Sequence, residues 1–119
     1  MPLKMGQAGL TLKIDTTGTV TADGLEDTII DKVLGSPFKG QLILDLSNLG
    51  SGDSIIVKEY TKITSTGSLQ LLTSTTFTAV QAEPAAVFLV KNLAYEHKIT
   101  LQQVLGTYRT FPYTYYVED

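Results

Sequence analysis

Few side chains in this sequence could do chemistry. There is one histidine, His97, and no cysteine. That composition removes thiolate zinc sites, iron–sulfur clusters, disulfide scaffolds and cysteine nucleophiles, and it removes any His-rich metal site within one chain. His97 has no serine in a nucleophile-elbow context beside it, so it reads as a solvated turn residue. The carboxylates do not form a convincing cluster. Glu26, Asp27 and Asp31 lie close in sequence, and Asp45 and Asp53 flank the segment Ser47-Asn48-Leu49-Gly50-Ser51-Gly52. Calcium wants roughly six to eight oxygens. Asn48, Ser51 and Asp53 offer a few, and turn capping by short polar side chains is the simpler reading. Gly50-Ser51-Gly52 lacks the lysine and the following helix of a phosphate loop. No cofactor is expected.

Asp15-Thr16-Thr17-Gly18 is one residue longer than the Asp-Thr-Gly signature of aspartic proteases, in which two carboxylates approach and share a proton. The extra threonine breaks that geometry, and the segment reads as a hairpin turn with Gly18 at positive φ. Arg109 is the only arginine, and the net charge is −3. Phosphate backbones call for a clustered basic face, so nucleic acid is not an expected partner. No stretch approaches the ~18 apolar residues of a membrane span, and the start, Met1-Pro2-Leu3-Lys4-Met5, lacks the apolar core of a secretory signal.

The aromatic side chains are more informative. Of ten, five fall between Tyr108 and Tyr116. On a strand, Phe111, Tyr113, Tyr115 and Val117 share one face, while Tyr108 and Tyr116 take the other. Such a stripe serves as core, as a subunit or particle interface, or as a sugar-stacking platform. Phe111, Tyr113, Tyr115 and Tyr116 are the candidate contact residues. They are joined by an N-terminal arm, residues 1–9, that with Leu10 offers Leu3 and Leu10 to a neighbour.

The elements that would position these residues are strands. The chain has 119 residues, 18% of them charged, 43% hydrophobic and 17 of them threonine. This is a composition for one folded domain, residues 10–119, on pleated, half-buried surfaces. Leu10, Leu12 and Ile14 alternate with polar residues, and Thr19–Ala22 returns after the expected turn. Asp23-Gly24 is a further turn. Leu25–Leu34 fits either a helix or a short strand around Thr28–Asp31, and its strand neighbours favour the strand. Gln41–Leu46 aligns Leu42, Leu44 and Leu46. Ser54–Thr64 aligns Ile55, Val57, Glu59, Thr61 and Ile63, then turns at Thr66-Gly67-Ser68 into Leu69–Thr78 as a long hairpin. Ala86–Val90 is a continuous apolar run that predicts a strand covered on both faces. Asn92 and Glu96 bracket a turn, Lys98–Gln103 points Ile99 and Leu101 inward, and Gly106-Thr107 leads into a last strand. Eight or nine short strands at this spacing predict an all-β antiparallel sandwich, plausibly of jelly-roll type.

Two stretches carry a resemblance: Leu44-Asp45-Leu46-Ser47-Asn48-Leu49-Gly50-Ser51-Gly52-Asp53-Ser54-Ile55-Ile56-Val57 and Lys98-Ile99-Thr100-Leu101-Gln102-Gln103-Val104-Leu105-Gly106-Thr107-Tyr108-Arg109-Thr110-Phe111-Pro112. Together they resemble small β-proteins encoded among the structural genes of tailed phages and phage-like elements. The likeness covers the chain from Leu25 onward. It departs at Gln103-Val104-Leu105-Gly106-Thr107, where that family often has Gln-Thr-Ala-Gly-Thr. The resemblance implies a non-enzymatic virion component, a capsid decoration or minor structural protein. It would be assembled in the host cytoplasm and would contact itself and other virion proteins such as the major capsid protein. The alternative is a β-sandwich that binds carbohydrate or a host surface through the C-terminal tyrosines and the Asn48–Asp53 loop.

Overall fold

The computed structural model describes residues 13–34, 36–93 and 95–118. Leu3, Leu10 and the arm of residues 1–9 lie outside the described residues. Eight strands follow one another: β1 (Lys13–Thr21), β2 (Asp27–Val33), β3 (Phe38–Asp45), β4 (Ser54–Lys62), β5 (Leu69–Thr78), β6 (Ala85–Leu93), β7 (Glu96–Leu105) and β8 (Thr110–Glu118). They form two antiparallel sheets of four, in the orders β1-β8-β3-β6 and β2-β7-β4-β5. The all-β antiparallel sandwich read from the sequence is the fold.

The pairs nest. β4 pairs with β5, β3 with β6, β2 with β7 and β1 with β8. Only β4 and β5 are both consecutive and paired; every other connection passes from one sheet to the other. The chain is thus a single antiparallel ribbon, doubled back at the β4–β5 turn and wound over itself. Its core is the space between the sheets. Val20, Leu42, Leu44, Phe88, Phe111 and Tyr115 come from the first sheet, and Ile29, Ile30, Ile55, Val57, Ile99 and Leu101 from the second, with Leu46 and Leu49 closing the loop end. At the β5–β6 side, Phe77 meets Phe88 edge to face across the gap, with ring centroids 6.2 Å apart.

Three local expectations are corrected. The hairpin turn at Asp15–Gly18 does not form. β1 runs straight through it, pairing with β8 from Lys13↔Val117 to Thr21↔Thr110, and Gly18 is not among the glycines at positive φ. The β-branched Thr16, Thr17 and Thr19 favour extended backbone, and the odd residue is absorbed as a bulge between Ile14 and Thr16. Gly18 serves packing instead: a Cβ there would lie 2.8 Å from the hydroxyl of Tyr113. The run Ala86–Val90 is not covered on both faces. β6 is an edge strand, and Val87 is half exposed. Thirdly, β7 begins at Glu96, so the bracketing turn ends one residue earlier and His97 lies inside a strand.

The Leu25–Leu34 segment is a strand, as favoured. Ile29 and Ile30 are both buried although adjacent. A second bulge, between Thr28 and Ile30, lets two successive side chains turn inward.

Leu44 is fully buried and Val87 half exposed at an edge. Leu44→Ala is expected to lower stability by about 2–5 kcal/mol, and Val87→Ala by no more than about 0.5 kcal/mol. Urea denaturation of the two variants checks the assigned core.

Candidate functional site

The inward face of β4 reads Ile55, Val57, Glu59, Thr61, and that of β7 reads His97, Ile99, Leu101. A carboxylate and an imidazole therefore enter an apolar interior on adjacent strands. They meet diagonally across the β4–β7 ladder, where Thr61 opposes His97 and Glu59 opposes Ile99. His97 Nε2 lies 2.9 Å from Glu59 Oε1, and His97 Nδ1 lies 2.7 Å from the hydroxyl of Tyr115 on the facing sheet. In the tautomer protonated at Nε2, the imidazole satisfies both contacts, Nε2–H donating to Glu59 and Nδ1 accepting from the Tyr115 hydroxyl. The His97 and Tyr115 rings are tilted at 55° with centroids 5.5 Å apart. Gly40 makes room for this arrangement. A Cβ there would collide with the Tyr115 hydroxyl and lie 3.0 Å from His97 Nδ1.

In connectivity this is a relay: hydroxyl, imidazole, carboxylate. In exposure it is closed. Glu59 and His97 are each 1% exposed and Tyr115 is 0%. Burial, then the charges of Asp15 and Glu59, push the Tyr115 phenol well above its ordinary range, so it stays a hydrogen-bond donor. A group that solvent cannot reach also cannot reach a substrate. The three residues tie sheet to sheet.

A second polar cluster organises the end of the sandwich where the β3–β4 and β7–β8 loops meet. Asp53 is 1% exposed. Its carboxylate accepts from Gly50 N–H at 2.8 Å, Thr107 N–H at 3.1 Å and Arg109 Nε–H at 2.7 Å. The Gly50 N–H and the Arg109 guanidinium hold it below the usual carboxylate range. Buried Gln103 completes the cluster: Nε2 donates to the carbonyls of Leu105 and Thr107, and Oε1 accepts from Arg109 N–H. Gly106, at φ 88°, passes so close that a Cβ would collide with Asp53 Oδ1. With its donors thus taken, Asp53 is a turn-locking residue. Among the described residues, no group of three or more His, Asp and Glu could hold a metal ion.

The third feature is open. On the outer face of the β2-β7-β4-β5 sheet, Glu26, Thr28, Tyr60, Leu69, Lys98 and Thr100 line a groove of about 330 Å³. One oxygen of Glu26 accepts from both the Tyr60 and Thr100 hydroxyls, each at 2.6 Å. These bonds, with Lys58 and Lys98 nearby, lower the Glu26 carboxyl, and the bond to Glu26 raises the Tyr60 phenol.

The structure separates the candidate residues of β8. Phe111 and Tyr115 are wholly enclosed in the chain's own core, so they offer no surface to a partner or a sugar in this fold. Tyr113 packs partly against the same core, and Tyr116, on the other face, is half-buried. His97 is corrected outright, from a solvated turn to a buried strand. Its signal was present in the sequence, because His97, Ile99 and Leu101 share parity on one strand face, as do Val57 and Glu59. Glu26, Asp27 and Asp31 do not converge. Glu26 bonds Tyr60 and Thr100, Asp27 faces Asp23, and Asp31 faces Glu96.

Comparison of the chain with protein-family models, with curated proteins and with solved structures finds no match.

Two experiments test the site. Tyr115→Phe leaves His97 Nδ1 buried without its hydrogen-bond partner and should lower stability by about 1–3 kcal/mol. Gly40→Ala should cost a similar amount, about 1–3 kcal/mol, by overpacking the same spot; chemical denaturation reads both. The second test is pH. Asp15, Glu26, Asp45 and Asp53 are held below their usual range. Their stabilisation is present above the unfolded carboxyl value of about 4 and is lost as pH falls. Glu96 is raised, first by Asp31 and then by burial. Its contribution is complete below that unfolded value and is lost as pH rises through the folded one. Glu96→Gln should therefore raise the melting temperature at about pH 7 and leave it unchanged at about pH 3, whereas Asp53→Asn should flatten the acid limb.

Proposed function

We propose that this chain is a non-enzymatic structural protein of a virus particle, a capsid decoration or minor structural protein that acts through contacts with itself and with other particle proteins such as the major capsid protein. On this reading it is assembled in the host cytoplasm and resides in the virion. The observation that carries the proposal is how the chain divides its chemistry. Its one histidine-centred relay is spent inside the core, while Ile14, Leu25, Val33, Ile63, Leu71 and Val80 are left more than half exposed. Scattered exposed apolar residues are ordinary, but Leu71 and Leu72 are adjacent on β5 and both exposed. The nested strand order supports a finer fold assignment, the eight-stranded jelly roll, an architecture used by viral capsid domains and also by lectins. The resemblance to tailed-phage structural proteins points the same way. No helix among the described residues is long and apolar enough to cross a membrane.

The groove at Glu26, Tyr60 and Thr100 favours a second reading, a module that binds carbohydrate or a host surface. Paired hydroxyl and carboxylate groups beside a tyrosine are suited to a polyhydroxylated ligand. On that reading the recognition surface would be the outer face of the β2-β7-β4-β5 sheet rather than Tyr115.

Light scattering coupled to size exclusion, followed by cosedimentation with empty capsid shells of the same genetic element, tests the first reading. A closed oligomer of the 12.9 kDa chain that cosediments is expected. A monomer that leaves the shells bare overturns it. Glycan-array binding weakened about tenfold, ~1.4 kcal/mol, by Tyr60→Ala would establish the second reading instead.

A further inference from the structure

A sandwich of two open sheets has four edges, and among the described residues they are β1, β6, β2 and β5. An unpaired edge is a template for another strand, and proteins usually guard it with charge, above all lysine. Three of the four follow that rule. β1 carries Lys13 and Asp15, β2 carries Asp27, Asp31 and Lys32, and β6 carries Lys91. β5 reads Leu-Gln-Leu-Leu-Thr-Ser-Thr-Thr-Phe-Thr, without a charge or a proline. It lies inside an uncharged run of 20 residues from Ile63 to Ala82, in a chain with 21 charged residues in all. It is among the longest strands, 10 residues, giving an edge of about 34 Å at ~3.4 Å per residue. Leu71 and Leu72 on it, and Ile63 and Val80 beyond its ends, are exposed.

We propose that the free edge of β5 pairs antiparallel with the same edge of a second copy of this chain. This rests on the assembly reading above and names its interface. A second copy is the occupant because of charge. The chain carries a net −3, so two copies repel through most of their surface. β5 is the edge where they meet without opposing like charges. Antiparallel pairing of identical edges is also self-complementary under a two-fold axis, so one continuous sheet of eight strands forms and closes the pair. On the outer face, Leu69, Leu71, Ser74, Thr76 and Thr78 share the side of their β4 partners Lys62, Tyr60, Lys58, Ile56 and Ser54. The leucines of both copies would flank the seam.

Sedimentation velocity on the full chain tests this, using Ser74→Lys/Thr76→Lys, which gives β5 the guard the other edges have, and Thr17→Lys/Thr19→Lys on β1 as control. The wild type and the control are expected at twice 12.9 kDa, and the β5 variant at 12.9 kDa with the β-sheet circular dichroism of the wild type. A β5 variant that stays dimeric overturns the interface and leaves the assembly reading standing. A wild type that remains monomeric at millimolar concentration overturns the self-pairing; shell cosedimentation then decides the assembly reading separately. Because the chain has no cysteine, single-cysteine variants give a check that does not depend on the lysine pair folding. Among Gln70→Cys, Ser74→Cys and Thr78→Cys, at least one should form a disulfide-linked dimer under mild oxidation, and Thr17→Cys should not. Linkage at Thr17 alone, or at no position, overturns the proposal.

Discussion

The line of hydrogen bonds from Tyr115 through His97 to Glu59 is the constraint around which the rest of this sandwich is arranged. Apolar contact between two sheets is non-directional and tolerates sliding. A hydroxyl that must meet one ring nitrogen, and a second nitrogen that must meet one carboxylate, does not. β8 in one sheet is thereby placed against β7 and β4 in the other. An unmade bond at this depth leaves a polar group stranded in the core at a cost of about 1–3 kcal/mol, so alternative strand registers are penalised together with their lost packing. Gly40 belongs to the same constraint, since it vacates the volume that the Tyr115 hydroxyl and the His97 ring occupy.

Asp53 does for the loop end what the relay does for the core. Three donors from two loops converge on one buried carboxylate, and Gln103 joins the same end from the β7 side. Both polar clusters are inward-looking, with their hydrogen bonds directed at the protein. The surface is left with lysines and carboxylates over much of its area, a polar groove on one sheet, and an uncharged border at β5.

Much of this was legible in the residues. Alternation placed β3, β4 and β7 on the correct faces, because Leu42, Leu44, Ile55, Val57, Ile99 and Leu101 follow a period of two into the core. The β4–β5 hairpin was visible for the same reason. The misreadings have identifiable causes. Asp-Thr-Thr-Gly carries turn chemistry, but cross-strand pairing with β8 outweighs local preference, and a bulge absorbs the mismatch. Ala86–Val90 looks doubly buried, because an apolar run does not say whether its strand is central or at an edge. His97 was misplaced by one strand boundary. Once β7 starts at Glu96, parity alone carries the ring inward. Its partners were less accessible, since Tyr115 comes from the other sheet and only the three-dimensional winding brings it within reach. The outer groove left no sequence signal, because Glu26, Tyr60 and Thr100 come from three separate segments.

The nested winding also governs how the chain acquires its structure. Only β4 and β5 can zip together across a short turn; each further pair, β3 with β6, β2 with β7 and β1 with β8, must enclose all the chain between its members. Closure entropy rises with each enclosure, and topologies dominated by such distant pairings fold slowly, in milliseconds to seconds. The central hairpin is therefore the natural starting point, and the outermost pair completes last. During that interval β5 is already extended, uncharged and unpaired along one side. The edge proposed to pair in the finished molecule is thus also an exposed strand surface that the partly folded chain presents. Unpaired edges of this kind make partly folded chains prone to associate before their cores have closed.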